Sequence, residues 1–267
     1  MKRVFLIGHP VLHSISPAIH NAAFRALNLD YTYELLDTAR NMLAQTVARL
    51  RADDCAGANV TIPHKETIVS CLDEISDTAR AIGAVNTIYK RDNLLIGDNT
   101  DAIGFCRALE HAHVSTRGAR VAILGAGGAA RAVAFALRDA ARIAIMNRTR
   151  ERAEKLVDDF RALKLPLVVG AWNEIENSNL IVNATSVGMF PLVEDSPLPR
   201  EIAIPRDAVV FDLVYRPART RLIAQSERAG ARTIGGLEML VYQGARAFEL
   251  WTNKNAPLDV MMRAAIV

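Results

Sequence analysis

Short apolar blocks alternate with stretches of helical periodicity along the first part of the chain. Val4–Ile7, Tyr31–Leu36 and Gly57–Val60 read as strands, while Pro17–Leu27 and Asn41–Leu50 carry apolar residues at helical spacing. Such strand–helix repetition predicts a mainly parallel sheet. Pro17 stands in a helix's first turn with Ser16 in the N-cap place, which puts Ser14–Ser16 at the C-terminal end of the first strand. Open α/β sheets bind ligands at that edge. Two more extended pieces, Ala84–Tyr89 and Leu94–Ile96, flank Lys90-Arg91-Asp92-Asn93, a hairpin turn. After a helix from Asp101 to His111, apolar strands recur at Val121–Leu124, Ile143–Met146, Leu180–Asn183, Val209–Leu213 and Arg232–Ile234. Helices over Leu237–Thr252 and Pro257–Ala265 close the pattern.

A chain of 267 residues suits two domains better than one core. With 51% hydrophobic and 23% charged residues it has an ordinary soluble composition, and no apolar run reaches the roughly 18 residues that span a bilayer. Two basic residues precede the first apolar run, but glycine, histidine and proline follow where a signal peptide would continue, so a buried first strand is expected. Cys55, Cys71 and Cys106 are odd in number and lack metal-ligand spacing, which points to reduced thiols in a cytoplasmic protein with no metal site. The net charge of +3 comes from dispersed arginines, so neither nucleic acid nor membrane is an expected partner.

The strongest chemical signal is Val121-Ala-Ile-Leu-Gly125-Ala126-Gly127-Gly128-Ala129-Ala130. An apolar strand ending in G-x-G-x-x-A and opening a helix gives a tight turn, room for a pyrophosphate and helix N-terminal N–H groups to bind it. An NAD site would place Asp or Glu at the end of the next strand for the ribose 2′-hydroxyl, but Asn147, Arg148 and Thr149 stand there, with Arg152 one helical turn on. A carboxylate would repel a 2′-phosphate, whereas a guanidinium can donate two charge-assisted hydrogen bonds to it. The stretch therefore reads as a pocket for NADP (NADPH). The expected fold is α/β with two α/β domains. Residues 102–236 form a Rossmann-type NADP-binding domain, and residues 1–101 plus 237–267 form a substrate-binding, catalytic domain, with the C-terminal helices returning to the first domain and the active cleft between the two.

Three polar clusters fall at ends of predicted strands in the remainder. Ser14 and Ser16, two positions apart in extended backbone, face the same way and can both donate to one carboxylate. Asn59 and Thr61 likewise share a face, and Pro63 fixes the turn that carries Lys65. Asn86, on its strand, joins Asn99 and Asp101; an asparagine offers donor and acceptor together, which suits substrate hydroxyls, and Asp101 supplies a carboxylate to pair with Lys65. Each residue alone reads as structural. Together, beside a nicotinamide pocket, they describe a site that reduces a ketone on a polyhydroxylated acid.

Nearly the whole chain resembles the shikimate dehydrogenase family, in the order His13-Ser-Ile-Ser16-Pro17, Asn59-Val-Thr-Ile-Pro-His-Lys65, Gly83-Ala-Val-Asn86-Thr87, Gly97-Asp-Asn-Thr-Asp101, the Gly125 turn, Asn147-Arg-Thr149, Asn183-Ala-Thr-Ser-Val-Gly188-Met189 and Gly235-Gly-Leu-Glu-Met-Leu-Val-Tyr-Gln243. The resemblance implies reversible NADPH-dependent reduction of 3-dehydroshikimate to shikimate, a step of the shikimate pathway leading to chorismate and the aromatic amino acids. It implies that Ser14 and Ser16 bind the substrate carboxylate, that Asn59, Thr61, Asn86, Asp101 and Gln243 hold the ring hydroxyls, and that Lys65 and Asp101 are the catalytic pair. It implies further that Tyr215 lies near the substrate carboxylate, Gly236 and Met239 near the nicotinamide, and Thr185, Ser186 and Met189 along the cofactor cleft. A lysine beside a carboxylate stays protonated, so Lys65 starts as a good acid for ketone reduction and a poor base for alcohol oxidation. A monomer or homodimer is expected.

Quinate-preferring members of the family usually use NAD, carry an acidic residue where Asn147-Arg148 stands, and tend to have Thr for the second serine; Ser16 and Arg148 favour shikimate with NADP. Methylenetetrahydrofolate dehydrogenases also join a catalytic-lysine domain to a nucleotide domain, but have no need of the two-serine cradle. A redox-sensing NADP-binding regulator could use the Gly125 turn, yet has no reason to keep Lys65, Asp101 and Gln243 together.

Overall fold

The computed structural model describes residues 1–266, and the chain divides into two compact units, Met1–Gly104 with everything from Val241 onward, and Phe105–Leu240. The first contains β1 (Lys2–Gly8), α1 (Ser16–Ala26), β2 (Tyr31–Asp37), α2 (Leu43–Arg49), β3 (Cys55–Val60), β4 (Glu74–Ile75), α3 (Asp77–Ile82), β5 (Thr87–Arg91), β6 (Leu94–Asp98) and the start of α4 (Asp101–His111). Its six strands lie in the order β2-β1-β3-β5-β6-β4. Pairs β1–β2, β1–β3 and β4–β6 are parallel, whereas β5 runs antiparallel to both β3 and β6. β1, between two parallel neighbours, is apolar along its covered length, as a strand covered on both faces must be: Val4, Phe5, Leu6 and Ile7 are all buried.

In the second unit come β7 (Arg120–Leu124), α5 (Gly128–Ala136), β8 (Arg142–Met146), α6 (Arg150–Asp159), β9 (Leu167–Val169), β10 (Leu180–Asn183), β11 (Val209–Asp212), α7 (Arg221–Ala229), β12 (Arg232–Gly235) and the first residues of α8 (Leu237–Thr252). The order β12-β11-β10-β7-β8-β9, parallel throughout, is that of a doubly wound Rossmann sheet. Chain order reverses between β7 and β10, and the crevice at their C-terminal ends is where such sheets take ligands. The two mostly parallel α/β sheets agree with the fold class expected from the sequence. No helix among the described residues is long and apolar enough to cross a membrane.

Four local expectations are corrected. Ser16 is not the N-cap of α1: Ile15 holds that place in helical backbone (φ −89°, ψ −1°), and no side chain caps the helix. Ser14 and Ser16 are therefore not on extended backbone; a tight turn brings their hydroxyls to 3.1 Å, and Ser14 Oγ accepts the Ser16 N–H at 3.2 Å. Asn86 stands one residue before β5 rather than on it: its N–H still bonds the Asp98 carbonyl (3.1 Å) and its carbonyl accepts the Val60 N–H (2.8 Å), but the preceding Val85 N–H turns to the Lys65 carbonyl (2.7 Å). The β5–β6 turn is also shorter than Lys90–Asn93. Asp92 and Asn93 alone turn, both at positive φ (52° and 62°), the geometry a two-residue type I′ hairpin needs.

In the first unit α9 (Leu258–Ala265) packs on α1, beside an aromatic cluster in which His20 stacks on Tyr33 with centroids 4.5 Å apart and planes within 5°. Trp251 and Phe24 border the same ring, and burial pushes the His20 imidazole from 6.5 down to about 3. Between those two values the unfolded chain binds a proton that the folded chain refuses, so stability falls as pH falls from about 6.5 toward 3. At pH 5 this amounts to about 2 kcal/mol. His20→Phe keeps a stacked ring and removes the titration, so urea unfolding at pH 7.5 and pH 5 should find about that much less acid destabilisation in the variant; an equal decline in both proteins would show that His20 is not the responsible group.

Candidate active site

In the first unit the polar residues converge from four segments. Lys65 sits in the turn after β3, closed by His64 N–H to the Thr61 carbonyl at 2.9 Å. Two contacts pin that turn: the His64 ring Nε2 bonds the Thr38 carbonyl at 2.7 Å, and Val85 N–H bonds the Lys65 carbonyl. Lys65 Nζ lies 2.6 Å from Asp101 Oδ2, and the two side chains are only 15% and 6% exposed. Asp101 is the first residue of α4, where the helix dipole favours an anion, and its N–H bonds Asn99 Oδ1 at 3.1 Å.

Asn86 holds this arrangement together. Its Nδ2 lies 2.8 Å from Asp101 Oδ1, 3.0 Å from Thr100 Oγ1 and 3.2 Å from Gln243 Oε1, the last residue coming from α8. Its Oδ1 accepts from Thr100 N–H at 2.7 Å and from Thr87 Oγ1 at 3.0 Å. Asn59, at the end of β3, joins the network through Nδ2, which donates to Thr87 Oγ1 and to the Asn86 carbonyl, while Asn59 Oδ1 accepts from Tyr33 OH at 2.9 Å. Both Nδ2 hydrogens of Asn59 are thereby used, leaving one lone pair on Oδ1. Thr61 is half-buried, with its methyl against Gly8. Ser14 and Ser16 stand together as described. Lys65 keeps two of its three N–H donors after bonding Asp101, so an oxygen brought to Nζ meets a proton donor whose counter-ion is fixed.

Tyr33, His64, Thr87 and Thr100 carry this geometry and were not singled out from the sequence. Thr87 and Thr100 lie inside the motifs already quoted, beside Asn86 and Asp101, so adjacency was an available signal; Tyr33 on β2 gave none.

The second unit builds a different kind of site. Gly125 follows β7 at φ +113°, and its N–H bonds the Met146 carbonyl at the end of β8 (2.7 Å); a Cβ there would stand 3.0 Å from the Ala184 carbonyl oxygen. At Gly127, the N-cap of α5, an added Cβ would meet nothing within 4 Å, and no side chain caps the helix. With Gly128 and Ala129 next, first-turn N–H groups remain for an anion in open space. Beyond β8, Asn147 Nδ2 bonds the Thr149 carbonyl (2.8 Å), Arg148 is exposed and makes no ion pair with any described residue, and Arg152 is also exposed. These residues fit a phosphorylated dinucleotide: backbone donors and a gap at the turn, and a cation instead of a carboxylate after β8.

Across the sheet, Thr185 Oγ1 donates to Asn183 Oδ1 at 2.7 Å, Ser186 and Met189 are exposed, Tyr215 is half-buried and Met239 is buried. Gly236 presses on Leu213, whose carbonyl oxygen an added Cβ would overlap at 2.2 Å. Among the described residues no group of His, Cys, Asp and Glu gathers in a way that could hold a metal ion.

Comparison with known proteins settles the family. Residues 6–88 match the model of the shikimate dehydrogenase substrate binding domain, residues 108–215 that of shikimate/quinate 5-dehydrogenase, and residues 236–266 that of the shikimate 5′-dehydrogenase C-terminal domain. A protein of Moorella thermoacetica named shikimate dehydrogenase (NADP(+)) is 48% identical over 97% of this chain and 91% of its own. The chain belongs to the shikimate dehydrogenase family. A Methanopyrus kandleri relative of the same name is 46% identical, covering 98% of this chain and 94% of its own. Among solved structures, the Thermus thermophilus shikimate 5-dehydrogenase in complex with NADP(H) and shikimate superposes with a TM-score of 0.90 at 40% identity, covering 100% of this chain and 99% of that one.

The two glycines of the family's turn differ physically, which a pair of variants separates. Gly125→Ala forces a side chain into left-handed backbone against a carbonyl and should lower the unfolding free energy by about 1–3 kcal/mol. Gly127→Ala, at ordinary φ and in open space, should lower it by less than about 1 kcal/mol while weakening dinucleotide binding. Urea unfolding with an NADPH titration checks both, and equal stability losses would contradict the geometry.

Proposed function

We propose that this shikimate dehydrogenase family member catalyses the reversible, NADPH-dependent reduction of 3-dehydroshikimate to shikimate, the oxidoreductase step of the shikimate pathway. The observation that carries the reading is the 2.6 Å Lys65–Asp101 pair, nearly buried and tied through Asn86 to Gln243. The names of its relatives, NADP-dependent in each case above, and the shikimate bound by the Thermus thermophilus enzyme support the substrate and the cofactor.

Ser14 and Ser16 bind the substrate carboxylate with adjacent hydroxyls, and Tyr215 assists there. Thr61, Asn86, Gln243 and the free lone pair of Asn59 hold ring hydroxyls. Gly125–Ala129 take the pyrophosphate on backbone N–H groups; Asn147, Arg148, Thr149 and Arg152 take the 2′-phosphate; Thr185, Ser186, Met189, Gly236 and Met239 line the path of the nicotinamide. NADPH, when bound, supplies the reducing electron pair with its hydrogen to the ketone carbon. Lys65 gives the carbonyl oxygen its proton as that oxygen becomes a hydroxyl, a contribution of about 10²–10⁴-fold for a positioned acid. Asp101 orients the ammonium and keeps its charge balanced, while Asn86 stops the carboxylate from turning away. Three free cysteines fit a reducing compartment, and we place the enzyme in the cytoplasm as a monomer or homodimer.

Initial oxidation rates with shikimate and quinate, each against NADP and NAD, test the reading. Turnover mainly with shikimate and NADP is expected. No turnover in any pair, or equal rates with quinate or NAD, would overturn it. In the same assay Arg148→Ala should reduce the preference for NADP over NAD by about tenfold, equivalent to about 1.4 kcal/mol. An unchanged cofactor ratio would remove Arg148 from the phosphate site.

A further inference from the structure

In the second unit one buried acid has no partner of opposite charge among the described residues. Asp212 ends β11 after Val209-Val210-Phe211, and its side chain is completely buried. Burial pushes its carboxyl up, against three hydrogen bonds that favour the charged form, and no cation contributes. All three partners are donors. Oδ1 accepts from Asn183 Nδ2 at 2.8 Å and from Val214 N–H at 3.0 Å, and Oδ2 accepts from Thr220 Oγ1 at 2.6 Å. A carboxylate accepts from all three at once, whereas an amide of the same shape would have to donate its NH₂ to the Thr220 hydroxyl and turn that hydroxyl's own proton away.

Each donor belongs to a segment leaving the C-terminal edge of the sheet. Asn183 ends β10, and its Oδ1 accepts from both the N–H and the Oγ1 of Thr185 (3.0 and 2.7 Å), while its Nδ2 also reaches the Val187 carbonyl at 3.2 Å. Thr185 Oγ1 in turn accepts the Val187 N–H at 3.1 Å. Val214 precedes Tyr215, and its carbonyl accepts the Gly236 N–H after β12. Thr220 caps α7, accepting the Ile223 N–H at 3.2 Å. The loops after β10, β11 and β12 are thus referred to one carboxylate. A buried charge without a counter-ion is an expensive way merely to stabilise a fold. Its geometric effect is to fix three loops on the half of the sheet opposite the phosphate-binding turn.

We propose that Asp212 is a positioning residue for the dinucleotide site: through Asn183, Val214 and Thr220 it holds Thr185–Val187, Val214–Tyr215 and Gly236 in the arrangement that receives the nicotinamide half of the cofactor. The proposal rests on the dinucleotide reading given above but not on the identity of the hydroxy acid.

The test is direct NADPH titration by fluorescence on the intact protein, with the KM for shikimate and the thermal midpoint alongside. Asp212→Asn should weaken NADPH binding about tenfold, the scale of one charge-assisted hydrogen bond, and raise the shikimate KM by less, about threefold at most, because only Tyr215 of the carboxylate site follows Val214. Thr220→Val removes one donor and the α7 cap and should weaken NADPH binding about threefold; Thr220→Ser, which keeps the hydroxyl, should restore it to within about twofold of wild type. If Asp212→Asn fails to fold, the Val and Ser variants at 220 decide. Variants that lose thermal stability yet bind NADPH like wild type would reduce Asp212 to a fold residue and overturn the proposal. A wild type that binds NADPH but turns over no shikimate would sink the substrate reading while leaving this one standing; a wild type that does not bind NADPH would sink both.

Discussion

Two opposite charges withdrawn from water hold together only when their remaining hydrogen bonds are also met. The Lys65–Asp101 pair imposes that condition on the whole first unit. Asp101 spends one oxygen on Lys65 and the other on Asn86, and Asn86 reaches in turn to Thr87, Thr100 and Gln243. Satisfying this set requires the turn after β3, the irregular segment before β5, the start of α4 and one turn of α8 to meet at a single place. Just before β5, Val85 N–H accordingly bonds Lys65's own carbonyl, while Asn86 keeps its backbone bonds to β3 and β6. The parallel strands and their apolar core supply the scaffold, and the ion pair determines where the scaffold departs from regularity.

The second unit handles charge in the opposite way. At the glycine turn and the end of β8 it keeps backbone N–H groups, open space at Gly127 and exposed arginines, none of which has to be desolvated by the fold. Where its own carboxylate is buried, at Asp212, the donors are all neutral and supplied by three separate loops. The glycine-turn side of the sheet is therefore an open electrostatic surface, and the β10–β12 side is a fixed frame.

How much of this was legible beforehand follows from the range of the forces involved. Leu180–Asn183 and Leu237–Thr252 were bounded as they fold because periodicity and burial are local properties of the chain. The glycine turn was legible because a tight turn, a helix start and a missing carboxylate each leave a residue-level mark. Propensity marks Ser16 as the cap because it cannot foresee that Ile15 already has helical backbone, which puts Ser16 inside the helix. The strand pattern runs back to Ala84 in sequence, whereas β5 begins at Thr87, because Val85 bonds the carbonyl of Lys65, about twenty residues away. Tyr33 and Asp212 were invisible for a related reason: an aromatic or an acid ending an apolar strand reads as packing or as a turn until its distant partners are known. The polar residues grouped from the sequence, Lys65, Asn86, Asp101 and Gln243, do come together, but the groups that orient them, Thr87, Thr100 and the His64 ring, belong to tertiary structure.

The central claim is that Lys65 and Asp101 act as one unit. A double-mutant cycle on kcat/KM for shikimate oxidation, comparing Lys65→Ala, Asp101→Asn and the double variant, measures that coupling directly. Residues that work only together lose little more when both are removed, so the double variant should fall no more than about threefold below the worse single one. Losses that multiply would mean that the two side chains contribute independently, and the pair would then be a structural contact beside the chemistry.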